Sequence, residues 1–96
     1  MNELREKLAL AVKIAKSYFD RGMGSGTTGN LSFMHDGKIY ITASGTCFGF
    51  LTPDDFAVVP SDSSDLKPSK ELSLHEMVYE KLIAKSHHEG AVIHTH

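Results

Sequence analysis

The sequence contains one cysteine, Cys47, which excludes an internal disulfide bond and fits a reducing cytoplasm. The formal net charge is -2 and no run of basic residues occurs, so we expect no nucleic-acid partner. No apolar stretch is long enough to span a bilayer, and the first residues carry mixed charge without the apolar core of a signal peptide. We therefore expect one small cytoplasmic domain with no membrane partner.

Regular hydrophobic patterns in two segments predict two amphipathic helices. Residues 3–20 carry apolar side chains at helical spacing, namely Leu4, Leu8, Ala11, Val12, Ala15 and Phe19. The second helix opens at Pro68-Ser69-Lys70-Glu71, has Ser69 as a candidate N-cap, and runs to about Lys85. Its predicted buried stripe consists of Leu74, Met77, Val78 and Leu82.

Four segments have the composition of β-strands. Residues 31–34 and 38–42 lie on either side of Asp36-Gly37, a dipeptide that is typical of a tight hairpin turn. Residues 56–59 predict a third strand. Ala91-Val92-Ile93, which follow Gly90, predict a buried last strand because two of the three residues are β-branched.

Two loops are rich in small residues. Residues 22–29 hold four glycines, and the backbone N–H groups and hydroxyls of this loop could cradle a phosphate. It matches neither a Walker loop nor a dinucleotide fingerprint, and a flexible turn explains the same composition. Ala43-Ser44-Gly45-Thr46 forms a second such loop at the end of a predicted strand.

Charged and imidazole side chains mark two further places. Glu71 lies in the first turn of the second helix, where the helix dipole alone accounts for an acidic residue, and it shares a face with His75 and Tyr79. His94 and His96 alternate along the last strand and so point to the same side. Two imidazoles there could be two of the three protein ligands of a catalytic zinc, or simply a polar strand end.

The order of these motifs is more specific than any one of them. Gly26-Thr27-Thr28-Gly29-Asn30-Leu31-Ser32, Ile41-Thr42-Ala43-Ser44-Gly45, Pro68-Ser69-Lys70-Glu71 and His94-Thr95-His96 together resemble the class II aldolase/adducin-head family. The resemblance covers nearly the whole chain, and the family includes L-fuculose-phosphate aldolase. It implies an α/β fold with a mainly antiparallel central sheet flanked by helices.

The resemblance also implies roles for individual residues. Substrate phosphate would be bound by Gly29, Asn30, Ser44, Gly45 and Ser69. Lys70 stands where L-fuculose-phosphate aldolase has a second serine, so it could pair with phosphate or with a substrate carboxylate. Pro68-Ser69-Lys70-Glu71 resembles more closely the sugar-acid phosphate decarboxylase branch and uncharacterised members of the family. Glu71 would be the catalytic acid and base, and His94 and His96 two of three zinc ligands. The family's third ligand lies further downstream, so we expect residues 1–96 to be the N-terminal part of one such domain.

The implied activity is that of a zinc-dependent lyase. It would cleave a C–C bond of a phosphorylated ketose or keto sugar acid through a metal-stabilised enediolate, in a homotetramer. Two alternatives stay open: a non-catalytic binding module like the adducin head, or a chain that is inactive for lack of the third ligand. His75 is either that third ligand or, as we prefer, a supporting or structural residue.

Overall fold

The computed structural model describes residues 3–60, 66–87 and 89–95. The chain forms two helices and four strands: α1 (Glu3–Asp20), β1 (Asn30–His35), β2 (Lys38–Thr42), β3 (Phe56–Val59), α2 (Leu72–Ala84) and β4 (Ala91–His94). Two short 3-10 turns, Phe48–Phe50 and Pro53–Asp55, connect β2 to β3. Within the described ranges, neither helix has the length and apolarity needed to cross a membrane.

The four strands form one antiparallel sheet in the order β3-β2-β1-β4. Asp36 and Gly37 close the β1–β2 hairpin with positive φ angles of 51° and 76°, the backbone conformation that a two-residue hairpin turn of this kind requires. His35 and Lys38 are therefore paired across the turn. The predicted α/β fold with a mainly antiparallel sheet and flanking helices is confirmed.

The apolar core lies between α1 and one face of the sheet. Alternation along β1 directs Leu31 and Phe33 to this face, where they join Phe48 and the small α1 residues Ala11 and Ala15. Ala15 is fully buried, and a methyl side chain at that position allows the helix to approach the sheet closely. Burial of these side chains accounts for the position of α1.

Helix α2 covers the other face of β1, and here one prediction from the sequence is wrong. The expected buried stripe is largely exposed, since Leu74, Met77 and Val78 retain 38%, 58% and 38% of their accessible surface. His75 and Tyr79 are buried instead. The reason is chemical: this side of β1 presents Asn30 and Ser32, and buried polar groups require hydrogen-bonding partners, which an apolar stripe cannot supply.

The start of α2 also differs from the prediction. The helix begins at Leu72, and Lys70-Glu71 form a turn before it. The Ser69 hydroxyl accepts a hydrogen bond of 3.2 Å from the Glu71 backbone N–H, so it closes this turn rather than capping the helix itself. Glu71 is consequently held at the helix entrance and not within the first helical turn.

Candidate active site

Three segments that are far apart in the sequence surround one cavity of about 290 Å³. It is lined by Thr27, Thr28, Gly29, Asn30, Ala43, Ser44, Gly45, Thr46, Ser69, Lys70 and Glu71. Because β1 and β2 are antiparallel, the beginning of β1 and the end of β2 meet at the same edge of the sheet. The entrance of α2 completes the wall.

Backbone hydrogen bonds hold the α2 entrance against the end of β2. The Ser69 N–H donates to the Thr42 carbonyl at 3.0 Å, and the Ser44 N–H donates to the Lys67 carbonyl at 2.8 Å. Pro68 forms an isolated bridge with Ala43 between these two contacts. The loop after β2 and the segment before α2 therefore form one continuous wall of the cavity.

The glycine-rich loop, residues 22–29, packs on the ring of Phe48. This residue is 1% exposed. A Cβ atom at Gly29 would lie 2.9 Å from two carbons of this ring, and one at Gly24 would lie 2.8 Å from a third. Such distances are too short for any side chain, so glycine is needed where the loop touches the core. The loop is thus packed on the core at Gly24 and Gly29.

The cavity wall combines neutral donors with one cation and one anion. Its hydroxyl-bearing residues are Thr27, Thr28, Ser44, Thr46 and Ser69. Lys70 contributes an exposed ammonium group and Glu71 a carboxylate. Small hydroxyls, backbone N–H groups and a lysine are the groups that bind phosphate oxygens in proteins. A carboxylate beside such a site is suited to proton transfer.

His94 lies next to this carboxylate. Its Nδ1 atom is 3.5 Å from Glu71 Oε1, and both side chains are partly exposed, at 29% and 43%. The position follows from strand register, because His94 at the end of β4 is paired with Asn30 at the start of β1. The cavity and the imidazole therefore share one edge of the sheet.

A buried hydrogen-bond network supports the floor of the cavity. His75 Nδ1 is 2.5 Å from Ser32 Oγ, His75 Nε2 is 2.5 Å from Asn30 Oδ1, and Ser32 Oγ is 2.6 Å from the Tyr79 hydroxyl. Burial, and then the electrostatic effect of His94, lower the pKa of His75 to about 4, against a smaller opposing effect of Glu71. Burial raises the pKa of Tyr79, against hydrogen bonds with Ser32 and the Val92 backbone. Both side chains are therefore neutral at pH 7.

The structure places every predicted substrate-binding residue around the cavity, together with Glu71. Those substrate-binding residues are Gly29, Asn30, Ser44, Gly45, Ser69 and Lys70. Of the two predicted metal ligands, His94 lies beside Glu71, whereas His96 lies outside the described residues. In the described part of the chain, no three His, Cys, Asp or Glu side chains come together as a metal site.

Sequence reasoning missed Ser32 and the connection between His75 and Asn30. The sequence did carry a signal of this connection. Two polar residues two positions apart on a strand span about the same length as two polar residues four positions apart on a helix. Asn30 and Ser32 on β1 span about the same length as His75 and Tyr79 on α2, since two strand residues rise roughly 6.7 Å and four helical residues about 6 Å.

Comparison with known proteins gives a consistent result. The family model of the class II aldolase and adducin N-terminal domain matches residues 9–96. The chain is 38% identical over 87 residues to L-fuculose phosphate aldolase of Methanocaldococcus jannaschii, covering 88% of this chain and 46% of that protein. It is 40% identical over 80 residues to 3-oxo-tetronate 4-phosphate decarboxylase of Escherichia coli K12, covering 79% and 36%.

The same similarity holds in three dimensions. A crystal structure of YgbL from Klebsiella pneumoniae, described as a candidate aldolase/epimerase/decarboxylase, superimposes with a TM-score of 0.85 at 33% identity. That superposition covers all of this chain and 46% of YgbL. The chain thus spans less than half the length of the proteins it matches.

Proposed function

This chain belongs to the class II aldolase and adducin N-terminal domain family, and from that membership we propose that it forms part of a zinc-dependent lyase. The reaction is cleavage of a C–C bond in a phosphorylated ketose or keto sugar acid, by aldol cleavage or decarboxylation. The 46% coverage of the fuculose-type relative supports the proposal that residues 1–96 form the N-terminal part of one such domain.

The observation that carries this proposal is the composition of the cavity beside Glu71. The Gly29 backbone and the hydroxyl groups of Ser44 and Ser69 line a space of about 290 Å³, next to Lys70. A phosphate bound there would orient the rest of the substrate toward Glu71 and His94. Binding energy from a group remote from the reacting bond would in this way fix the reactive geometry.

The donor set fits a divalent metal as a partial site. His94 supplies one imidazole to it, and we propose that His96 supplies the second. The third ligand would come from residues other than those described. When bound, zinc would polarise the substrate carbonyl and stabilise the negative charge that develops as the adjacent C–C bond breaks.

Glu71 is proposed as the group that carries the proton. Its carboxylate lines the cavity and lies 3.5 Å from His94 Nδ1, so it reaches both the phosphate site and the proposed metal site. As a base it would accept a proton from a substrate hydroxyl, and as an acid it would return the proton to carbon. Correct placement of such a group contributes about 10²–10⁴ in rate.

Lys70 is proposed to set the substrate class. Its ammonium group would pair with a carboxylate on the substrate or with the phosphate itself. The first arrangement favours a sugar-acid phosphate, and the second suits a neutral ketose phosphate.

We also propose that the protein is a cytoplasmic homotetramer. The exposed apolar side chains of Leu74, Met77 and Val78 on α2 support burial against another protein surface. The single cysteine fits a reducing compartment.

The decisive experiment is an activity assay of the protein with zinc on two substrates, L-fuculose phosphate and 3-oxo-tetronate 4-phosphate. We expect release of a carbonyl fragment from the first or of CO₂ from the second, and loss of either activity on chelation. Glu71→Gln should keep phosphate binding and lose about a hundredfold or more of the turnover, whereas Glu80→Gln on the exposed side of α2 should not. If the protein binds phosphate and zinc but converts neither substrate, the adducin-head-like binding function or the inactive-chain alternative is favoured.

A further inference from the structure

Four buried polar side chains connect the interior of the domain to the cavity. Asn30, Ser32, His75 and Tyr79 are 3%, 0%, 0% and 2% exposed. Asn30 lines the cavity, whereas the cavity wall does not include the other three. Of these four side chains, Asn30 is therefore the one that can touch a ligand in the cavity.

The hydrogen bonds of this network determine the protonated nitrogen of His75. Asn30 Oδ1 can only accept, so His75 Nε2 must carry the proton and donate it. A neutral imidazole then has an unprotonated Nδ1, which accepts the hydrogen bond from Ser32 Oγ. The low pKa of His75 agrees with a neutral ring.

Tyr79 supports the same direction. The Ser32 hydroxyl has one proton, which it donates to His75 Nδ1, so the Tyr79 hydroxyl must be the donor in its contact with Ser32. The Tyr79 proton is then directed to Ser32 Oγ, 2.6 Å away. Tyr79 thus donates to Ser32, and Ser32 donates to His75. His75 in turn donates to Asn30 through its other ring nitrogen.

We propose that His75 is a positioning residue that fixes the orientation of the Asn30 amide, so that its NH₂ group is presented to the substrate phosphate. The inference rests on the proposed phosphate-binding function of the cavity. When Asn30 Oδ1 accepts the hydrogen bond from His75, the amide nitrogen of Asn30 is left to face the cavity. The reversed amide would present a carbonyl oxygen to an anion, which repels it.

A purely structural role for His75 predicts something different. Packing alone would be served by an apolar side chain of similar size, and the phosphate affinity would then be unchanged. A positioning role requires one donor toward Asn30 and one acceptor toward Ser32, a combination that glutamine also offers.

The first test reads the protonated nitrogen directly. In ¹⁵N NMR spectra of the whole chain at pH 7.5, we expect His75 to be protonated at Nε2 and unprotonated at Nδ1. Protonation at Nδ1 would overturn the proposal, because His75 Nε2 would then accept from the Asn30 amide and turn the carbonyl oxygen to the cavity. This measurement needs no ligand and no variant.

The second test measures the affinity for inorganic phosphate by NMR titration. His75→Leu should weaken binding about tenfold or more, and His75→Gln should restore it to within about threefold of the unchanged protein. His87→Leu is the matched control, because His87 is an exposed histidine that follows α2 and lies outside the network, so this variant should leave phosphate affinity unchanged.

The outcomes separate the two proposals. If the unchanged protein does not bind phosphate, the proposed function of the cavity fails. If it binds phosphate and folded His75→Leu binds equally well, the positioning role alone is overturned. If His75→Leu does not fold, two other measurements decide the question. The first is the protonation state of His75. The second compares two variants, since the positioning role requires His75→Gln to bind phosphate more tightly than Asn30→Ala.

Discussion

Asn30 and His94 are directly paired across β1 and β4, on the side of the sheet that α2 covers. The residue proposed to bind phosphate and the residue proposed to bind metal therefore have positions fixed by one strand register. A shift of β4 by one residue would turn His94 to the opposite face of the sheet and away from Glu71. The register of β4 is thus as important for the site as the identity of the histidine.

Replacing His94 tests the proposed metal site. We expect His94→Ala to lower the zinc affinity at least tenfold, because the variant loses an imidazole ligand beside the Glu71 carboxylate. Competition with a chromophoric chelator measures the affinity. His87→Ala is the matched control, since His87 is an exposed residue that follows α2. Equal zinc affinity of both variants would argue against His94 as a ligand.

Replacing Lys70 tests the proposed substrate class. We expect Lys70→Ser to lower the affinity for a sugar-acid phosphate by about 1 kcal/mol, or roughly fivefold, because a charge pair that stays partly hydrated contributes about this much. The affinity for a neutral sugar phosphate should change less. Competition against bound phosphate gives both values.

Lys67→Ser is the control for Lys70→Ser. Lys67 is also exposed and lies just before the same turn, but it does not line the cavity. Equal losses for acidic and neutral ligands in Lys70→Ser would assign this lysine to the phosphate instead of to a substrate carboxylate.

The sequence was sufficient for the positions of the strands and insufficient for the orientation of α2. It was also wrong about the burial of β4, which is an edge strand of the described sheet with Ala91 and Ile93 exposed. Alternating side chains and the Asp36-Gly37 turn determine β1 and β2, and helical spacing determines α1, so local patterns predicted these elements. For α2 the apolar stripe predicted the wrong buried face, because Asn30 and Ser32 on a distant strand required polar partners. Such a requirement is a tertiary property, and it appears in no single segment of the sequence.

Gly29 tests the contact between the glycine-rich loop and the core. We expect Gly29→Ala to destabilise the protein by about 1–3 kcal/mol, because the added methyl group would meet the Phe48 ring at 2.9 Å. Urea unfolding measures the loss. Phosphate affinity should fall too, since Gly29 lines the cavity.

A second substitution at Phe48 identifies the cause. In the double variant Gly29→Ala with Phe48→Leu, the smaller side chain leaves room for the methyl group. We therefore expect the double variant to be more stable than the sum of the two single losses predicts. Strict additivity would show that the Phe48 ring is not what excludes a side chain at position 29.

The low pKa of His75 makes the stability of the protein depend on pH in one defined interval. Burial, and then the electrostatic effect of His94, lower this pKa from 6.5 to about 4, so between these values the unfolded chain binds a proton that the folded chain does not. Stability is therefore fully present above pH 6.5 and is lost as the pH falls towards 4. The expected loss is roughly 3 kcal/mol, and urea unfolding at several pH values measures it.

His75→Gln isolates this contribution from that of the other histidines and carboxylates. Glutamine does not titrate, so the stability of the variant should fall less steeply between pH 6.5 and 4, by an amount that corresponds to about one proton. His87→Gln, which replaces an exposed histidine, should keep the slope of the unchanged protein. Parallel curves for His75→Gln and the unchanged protein would show that His75 takes up its proton equally in the folded and unfolded states, and so that burial does not hold it neutral.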